Sequence, residues 1–241
     1  MTRRTDVRIE AALNDRSRPR RDLARDVRDC TEEVLHFLGI APGDHVLDFL
    51  PFRGYFTRLF ASLVGEHGRV FAAIPAEVTK IERIEAGRQE IEQFARERHN
   101  IVLLTGSTEE ALAPEAIFDM IFIGQNYHDL HIAMMSPTNV QTFNKLALRA
   151  LKPGGHYVII DHVAPTGTPA EVTGALHRID PAIAKREVEA AGFRYTGKDD
   201  VLHNRNDPHT SSIFARGIRY HTDRFILKFR KPAELARQDG Q

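Results

Sequence analysis

Histidine changes charge near neutral pH and serves as acid, base or metal ligand. The chain has 12 histidines, four in residues 1–120 and eight in residues 121–241. His128 closes the polar run Gly124-Gln125-Asn126-Tyr127-His128, and His162 follows Asp161 at the end of an apolar run. An imidazole at His128, or the neighbouring Tyr127 phenol, could take a proton from a phenol or enol within hydrogen-bond reach. Asp161 closes a wholly apolar segment, so its carboxylate needs a partner. His177-Arg178 can supply one, and Arg178 could equally grip a carboxylate or phosphate through two parallel hydrogen bonds. Asp180 reads as a helix N-cap. His128, Asp161, His162 and His209 also offer nitrogen and oxygen donors suited to zinc, iron or manganese. No local spacing of the His-Glu-x-x-His kind is present. A metal therefore requires these residues to converge, and its identity stays open.

Short apolar runs alternating with amphipathic stretches must position these groups. A helix is expected from Pro19 to Leu38, with Leu23, Val27, Val34, Leu35 and Leu38 inward and Gly39 as its stop. Strands are read at 45–50, 69–74, 101–104, 120–123 and 156–161. Helices are read at 55–64, 77–98, 136–151 and 181–192. A short strand is expected at 193–195, and 223–229 alternates with Phe225, Leu227 and Phe229 on one face. This order implies a parallel sheet covered on both sides, its final strand antiparallel near an edge. In such a sheet, ligands bind outside the carboxyl ends of the strands. Asp48, residues 124–128 and Asp161-His162 all follow strand ends there. The polar stretch 196–222, with Asn204 and His209, is long enough to act as a lid over that edge. Its Asn, Asp and Pro residues equally suit plain turn chemistry.

Four segments carry a resemblance: Val46 to Thr57, Phe118-Asp119-Met120-Ile121, Leu151-Lys152-Pro153-Gly154-Gly155 and Glu189-Ala190-Ala191-Gly192-Phe193. In this order they resemble the class I S-adenosylmethionine-dependent methyltransferase-like superfamily over about residues 30–230. Asp161-His162, residues 176–180, 206–210 and 222–232 are similar to a bacterial subgroup of predicted methyltransferases with undefined substrates. The resemblance implies an α/β, Rossmann-like, doubly wound sheet of seven strands, mostly parallel with the last antiparallel. It implies S-adenosylmethionine as cofactor. Asp48, Phe49, Pro51, Gly54, Tyr55, Gln125 and Asn126 are the residues placed to bind it. The catalytic candidates are His128, Tyr127, Asp161, His162, His177 and Arg178. Phe52, Arg53, Asn204 and His209 are assigned to substrate or lid.

Two departures stand against ordinary cofactor binding. The cofactor loop of this fold normally has several glycines, because backbone must approach the ligand. Here only Gly54 remains, with Phe52 and Arg53 at positions where the subgroup has glycine. Either the loop takes another shape, or its side chains fill cofactor space. The acid that the fold usually offers to the ribose is replaced by Ile74-Pro75. The expected function is thus a small-molecule, methyltransferase-like enzyme with a His/Asp acid–base pocket. The alternatives are a lyase or isomerase on an aromatic or carbonyl substrate, and a non-catalytic binding module.

Composition bounds these readings. With 33 Lys+Arg against 33 Asp+Glu, the chain has no basic excess of the kind that marks nucleic-acid binders. Residues 1–35 hold 9 Arg and 8 Asp+Glu, which suits a solvated helix better than a nucleic-acid arm or transit peptide. A single cysteine, Cys30, excludes an internal disulfide framework and reads as an inert core residue. No apolar run approaches a membrane span. A cytoplasmic protein is expected, with a helical extension at 1–38, the α/β domain at 39–232 and a flexible tail at 233–241. A small-molecule substrate is expected, with neither nucleic acid nor membrane as partner, and the sequence leaves room for a homo-oligomer.

Overall fold

The computed structural model describes residues 6–132, 138–170 and 173–233. Three helices open the chain: α1 (Val7–Leu13), α2 (Arg20–Arg28) and α3 (Thr31–Leu38). The alternating part follows as β1 (His45–Phe49), α4 (Tyr55–Val64), β2 (Arg69–Ala73), α5 (Glu82–Glu97), β3 (Ile101–Leu104), α6 (Thr108–Ala111) and β4 (Phe118–Gly124). Then come α7 (Val140–Ala150), β5 (Leu151–His162), α8 (Thr173–Leu176), α9 (Pro181–Ala190), β6 (Arg194–Asp199) and β7 (Arg224–Arg230). The seven strands form one sheet in the order 3-2-1-4-5-7-6. Strands β1 to β5 pair in parallel, and β7 runs antiparallel between β5 and β6. The chain reverses its winding direction at β1 and β4, where a doubly wound sheet opens its crevice.

Apolar cores cover both faces, which is why the central strands read as unbroken apolar runs. Leu47, Ile121, Ile159 and Leu227 face one core, with Phe143 of α7 and Val188 of α9. Val46, Met120, Val158 and Ile226 face the other, with Leu59 and Leu63 of α4. Phe225, Leu227 and Phe229 share a face as their alternation requires. Among the described residues, no helix is long and apolar enough to cross a membrane.

Several boundaries differ from expectation. The segment 1–17 contributes α1, with Ile9 and Ala12 buried beside α4. The helix expected from Pro19 to Leu38 breaks at Cys30, whose φ is +45°. That break turns Leu23 and Val27 out to solvent and gives α2 an ionic inner face. Cys30 itself is half-buried rather than core, and burial pushes its thiol upward, away from the reactive thiolate. Residues 76–78 form a separate turn before α5. The expected breaker 152–155 is drawn into β5 by the Leu151–Phe118 pairing and a register shift. β6 extends to Asp199 across a second shift at Gly197. Ser136 of the expected 136–151 helix lies outside the described residues, as do residues 234–241 of the expected tail.

Candidate active site

The first cavity sits at the carboxyl edge of β1 and β4. It measures about 370 Å³ and is walled by Arg25, Asp48, Leu50, Tyr55, Arg58 and Gln125, among others. The loop after β1 forms its floor. Leu50, Phe52 and Gly54 all adopt left-handed backbone, with φ of +53°, +49° and +72°. The loop therefore keeps left-handed turns without the glycines that normally supply them. Each non-glycine residue there costs about 1–2 kcal/mol, so the surroundings must hold it. Asn126 Nδ2 does so by donating to the Leu50 carbonyl at 3.0 Å and the Gly124 carbonyl at 2.8 Å. Gly87 of α5 backs the loop so closely that a Cβ would stand 2.2 Å from the Phe52 carbonyl oxygen. Gly87→Ala is accordingly expected to shift loop or helix and to cost about 1–3 kcal/mol. A melting curve checks this, and an unchanged melt would mean that α5 yields freely. Phe52 and Arg53 also line the cavity, so the loop keeps its left-handed turns while its side chains reach into the space above it.

Asp48, at the end of β1, is buried and accepts a hydrogen bond from Thr57 Oγ1 at 2.7 Å. Burial pushes its carboxyl up to about 7, against the opposing pull of Thr57, Arg25 and Arg58. Helix α2 roofs the cavity through charges rather than apolar contacts. Arg58 Nε donates to Asp22 at 2.7 Å, Arg18 pairs with Asp26 at 2.6 Å, and the Tyr55 hydroxyl donates to Asp26 at 2.6 Å. The Arg25 guanidinium lies 4.0 Å from the Tyr55 ring centroid. Arg58 Nη2 is buried with no hydrogen-bond partner among the described residues.

A second cavity of about 200 Å³ shares Arg25, Arg28, Gln125 and Tyr220 with the first. Its further walls include His162, Phe214, Arg219, Thr222 and Arg224. Gln125, at φ +65°, stands between the two. With its amide oxygen turned inward it accepts from Arg224 at 3.0 Å and Arg25 at 3.3 Å. His162 Nδ1 bonds to Thr222 Oγ1 at 2.8 Å. Burial, aided by His128 and the nearby arginines, holds the His162 pKa well below its ordinary value, so the ring is neutral.

Behind His162 lies a buried His/Asp cluster. Asp161 accepts the backbone N–H of His128 at 2.7 Å and of His162 at 2.7 Å, and faces His128 Nδ1 at 2.8 Å. His128 Nε2 faces Asp129 Oδ1 at 3.3 Å, and His177 Nδ1 lies 3.8 Å from the same oxygen. Burial lowers the His128 pKa, but Asp161 and Asp129 outweigh it and the net direction is upward. Asp161 thus takes its partner from His128 rather than from the expected His177-Arg178. Both ring nitrogens of His128 face carboxylates, and the ring does not wall either cavity.

Other expected site residues lie elsewhere. Tyr127 turns its hydroxyl to Glu187 and Asn144, at 3.0 and 2.9 Å. Arg178 is wholly buried against Asp207 and two backbone carbonyls. Asn204 and His209 both bond to Asp223, which pins the long loop rather than presenting them to the cavity. Phe49 packs on Phe143 in the core. Pro51 and Tyr55 line the first cavity, whereas Gly54 caps α4 and Asn126 braces the loop from beneath. Sequence reasoning missed Asp129 and the α2 roof. The roof had a signal in the three- and four-residue spacing of Asp22, Asp26 and Asp29 among the arginines, which places them on one helical face.

This topology, with its cleft at the carboxyl ends of β1 and β4, is the class I S-adenosylmethionine-dependent methyltransferase-like fold. A solved S-adenosylmethionine-dependent methyltransferase from Aquifex aeolicus superposes with a TM-score of 0.60 at 20% identity, over 93% of this chain and 97% of that one. An arsenic(III) S-adenosylmethionine methyltransferase from Chlamydomonas reinhardtii gives 0.57 at 18% identity, over 93% and 73% of the two chains. Among curated proteins, the chain is 26% identical over 196 residues to the ubiquinone/menaquinone biosynthesis C-methyltransferase UbiE of Ectopseudomonas mendocina. It is 28% identical over 196 residues to the protein of that name from Pseudomonas savastanoi pv. phaseolicola. These matches cover 81% of this chain and 66% of the relatives' length. No family model matches the chain.

Proposed function

We propose that the protein is an S-adenosylmethionine-dependent methyltransferase acting on a small-molecule acceptor. The observation that carries this reading is the pair of joined cavities at the carboxyl edge. One lies over the left-handed 50–54 loop, and the other is walled by His162, with Gln125 between them. The first cavity suits the methionine end of the cofactor. The loop backbone gives close approach, and the unpartnered Arg58 Nη2 offers a hydrogen bond to a carboxylate. Its ribose end differs from the usual arrangement, since β2 is followed by buried Ile74 instead of an acid. S-adenosylmethionine would supply an electrophilic methyl group. Asp48, Leu50, Pro51, Tyr55 and Gln125 would hold it, and Phe52 and Arg53 would close over it.

The protein's own part is then positioning. His162, neutral and fixed by Thr222, orients the acceptor, while Phe214 and Tyr220 of the long loop exclude water from the second cavity. The His128–Asp161 pair fixes the backbone on either side of His162. Calorimetric titration with S-adenosylmethionine is expected to show saturable binding at one site per chain. His162→Ala is expected to leave that affinity within about twofold, while slowing transfer to an accepted substrate about 100-fold. No heat at millimolar cofactor would sink the methyl-transfer reading.

A further inference from the structure

Asp129 is a buried carboxylate in a position that its own chain does not neutralise in the ordinary way. Among the described residues its charged neighbours are imidazoles, His128 Nε2 at 3.3 Å and His177 Nδ1 at 3.8 Å, with neither lysine nor arginine in ion-pair contact. A carboxylate kept from water needs a cation or strong donors. Asp161, one ring further on, also directs both its oxygens at the His128 side of the cluster. Two buried carboxylates and three histidines, His162 included, therefore surround a small region. The arginines beside the cluster, Arg178 next to His177 in the chain and Arg224 opposite His162 in the sheet, are engaged elsewhere, with Asp207 and Asp29.

We propose that His128 Nε2, the Asp129 carboxylate and His177 bind a divalent transition-metal ion, of the zinc or iron(II) class. Geometry is the first support. The three donor atoms lie within 4.8 Å of one another. Donors held at about 2.0–2.2 Å around a tetrahedral or octahedral ion stand roughly 3–3.5 Å apart, so the site closes on an ion with small side-chain movements. The second support is the orientation of His128. Its Nδ1 faces Asp161 Oδ1 at 2.8 Å. A proton on that nitrogen leaves the Nε2 lone pair directed at the site, and ligating histidines are commonly fixed by a carboxylate in this way. The third is His177, which adopts φ +53°. Left-handed backbone outside glycine is uncommon and worth a functional question. Here it brings the ring to 5.4 Å from His128 and 4.9 Å from Phe214.

Two imidazoles and one carboxylate suit zinc or iron(II) rather than magnesium or calcium, which prefer all-oxygen shells. Three protein donors leave coordination positions open. Phe214 walls the second cavity as well as touching His177, so the site adjoins the space assigned to the acceptor. This inference goes beyond the methyl-transfer reading and stands or falls separately from it.

The test uses the full chain, freed of metal with a chelator and dialysed. Titration with zinc chloride by calorimetry, and with cobalt(II) by visible absorption, is expected to saturate at one ion per chain. His177→Ala removes a ring that is only partly exposed, and Asp129→Asn keeps the shape of its side chain. Each is expected to weaken binding by about 100-fold or more, with a single cooperative melt that shows the chain still folded and with unchanged S-adenosylmethionine affinity. Loss of one oriented outer partner alone costs about 10–100-fold, so direct ligands should cost at least as much. Absence of saturable binding to the wild-type chain overturns the proposal, as does equal affinity in His177→Ala. Either result leaves His128 as a structural imidazole between two carboxylates, and the cofactor titration above still decides methyl transfer.

Discussion

Replacing Arg178 with methionine is expected to destabilise the folded chain by about 3–5 kcal/mol. The side chain is fully buried and makes a two-pronged ion pair with Asp207, at 2.8 and 3.1 Å. Its remaining donors reach the carbonyls of Val163 at 3.0 Å and Ser211 at 2.9 Å. Asp207 in turn accepts the backbone N–H groups of Asp223 and His209, at 2.6 and 3.0 Å. One guanidinium thus ties the end of β5, the segment before α9, the long 200–223 loop and the start of β7. Burial alone would raise the Asp207 pKa, but Arg178 and the two N–H groups outweigh it and hold it below its ordinary value. Removing the cation leaves a buried carboxylate uncompensated, which is the costly case. Denaturant unfolding measures the loss. The double variant Arg178→Met with Asp207→Asn is expected to recover part of it, because the orphaned charge is gone. A loss below about 1 kcal/mol in the single variant would contradict this account. The same variant should loosen Phe214, Tyr220 and Thr222, which the loop presents to the second cavity, and so weaken acceptor use more than cofactor affinity.

Arg178 also shows where sequence reading succeeds and where it stops. Its chemistry was legible, since a guanidinium suits two-pronged binding of a carboxylate. The carboxylate proves to be Asp207, 29 residues away, and no local pattern announces that pairing. The strands of the sheet were legible because their apolar runs record burial on both faces. The gathering of Asp48, Gln125, Asp161 and His162 at one edge followed from the rule for parallel sheets. Helix α2 was read wrongly for a physical reason. Leu23 and Val27 have helical spacing, but the turn at Cys30 rotates the helix so that Asp22 and Asp29 are buried instead. Ionic partners from distant segments, Arg58 and Arg224, make that burial affordable. Periodicity records apolar faces and is blind to an ionic one. The 50–54 loop teaches the converse. Missing glycines suggested another conformation, whereas the packing of Gly87 and the hydrogen bonds of Asn126 impose left-handed turns on Leu50 and Phe52.

Asp48→Asn is expected to stabilise the protein at alkaline pH by about 4 kcal/mol and to have little effect in acid. Burial is the principal cause, raising the folded-state carboxyl to about 7. In the unfolded chain the same group ionises near 3.9. Below about pH 4 both states carry the proton, and the carboxyl imposes no penalty. Between about 4 and 7 the folded state binds more protons than the unfolded state, so stability falls as pH rises. Above about 7 both are ionised, and the full penalty persists. Asparagine cannot ionise, and its side-chain oxygen can still accept the Thr57 hydroxyl. The stability gap between variant and wild type should therefore widen by about 2–3 kcal/mol from pH 5 to pH 8 in parallel denaturant series. A gap of constant size would mean that Arg25 and Arg58 keep Asp48 ionised throughout. Function explains why a costly acid would stand there. Asp48 walls the first cavity, where a sulfonium or ammonium ligand would favour its ionised form. Binding such a cation then draws a proton from Asp48 below pH 7. By linkage, wild-type affinity for S-adenosylmethionine rises with pH up to about 7 and levels above it. The Asp48→Asn variant should lose that slope, so the two effects of one substitution, greater stability and flattened cofactor binding, must appear together.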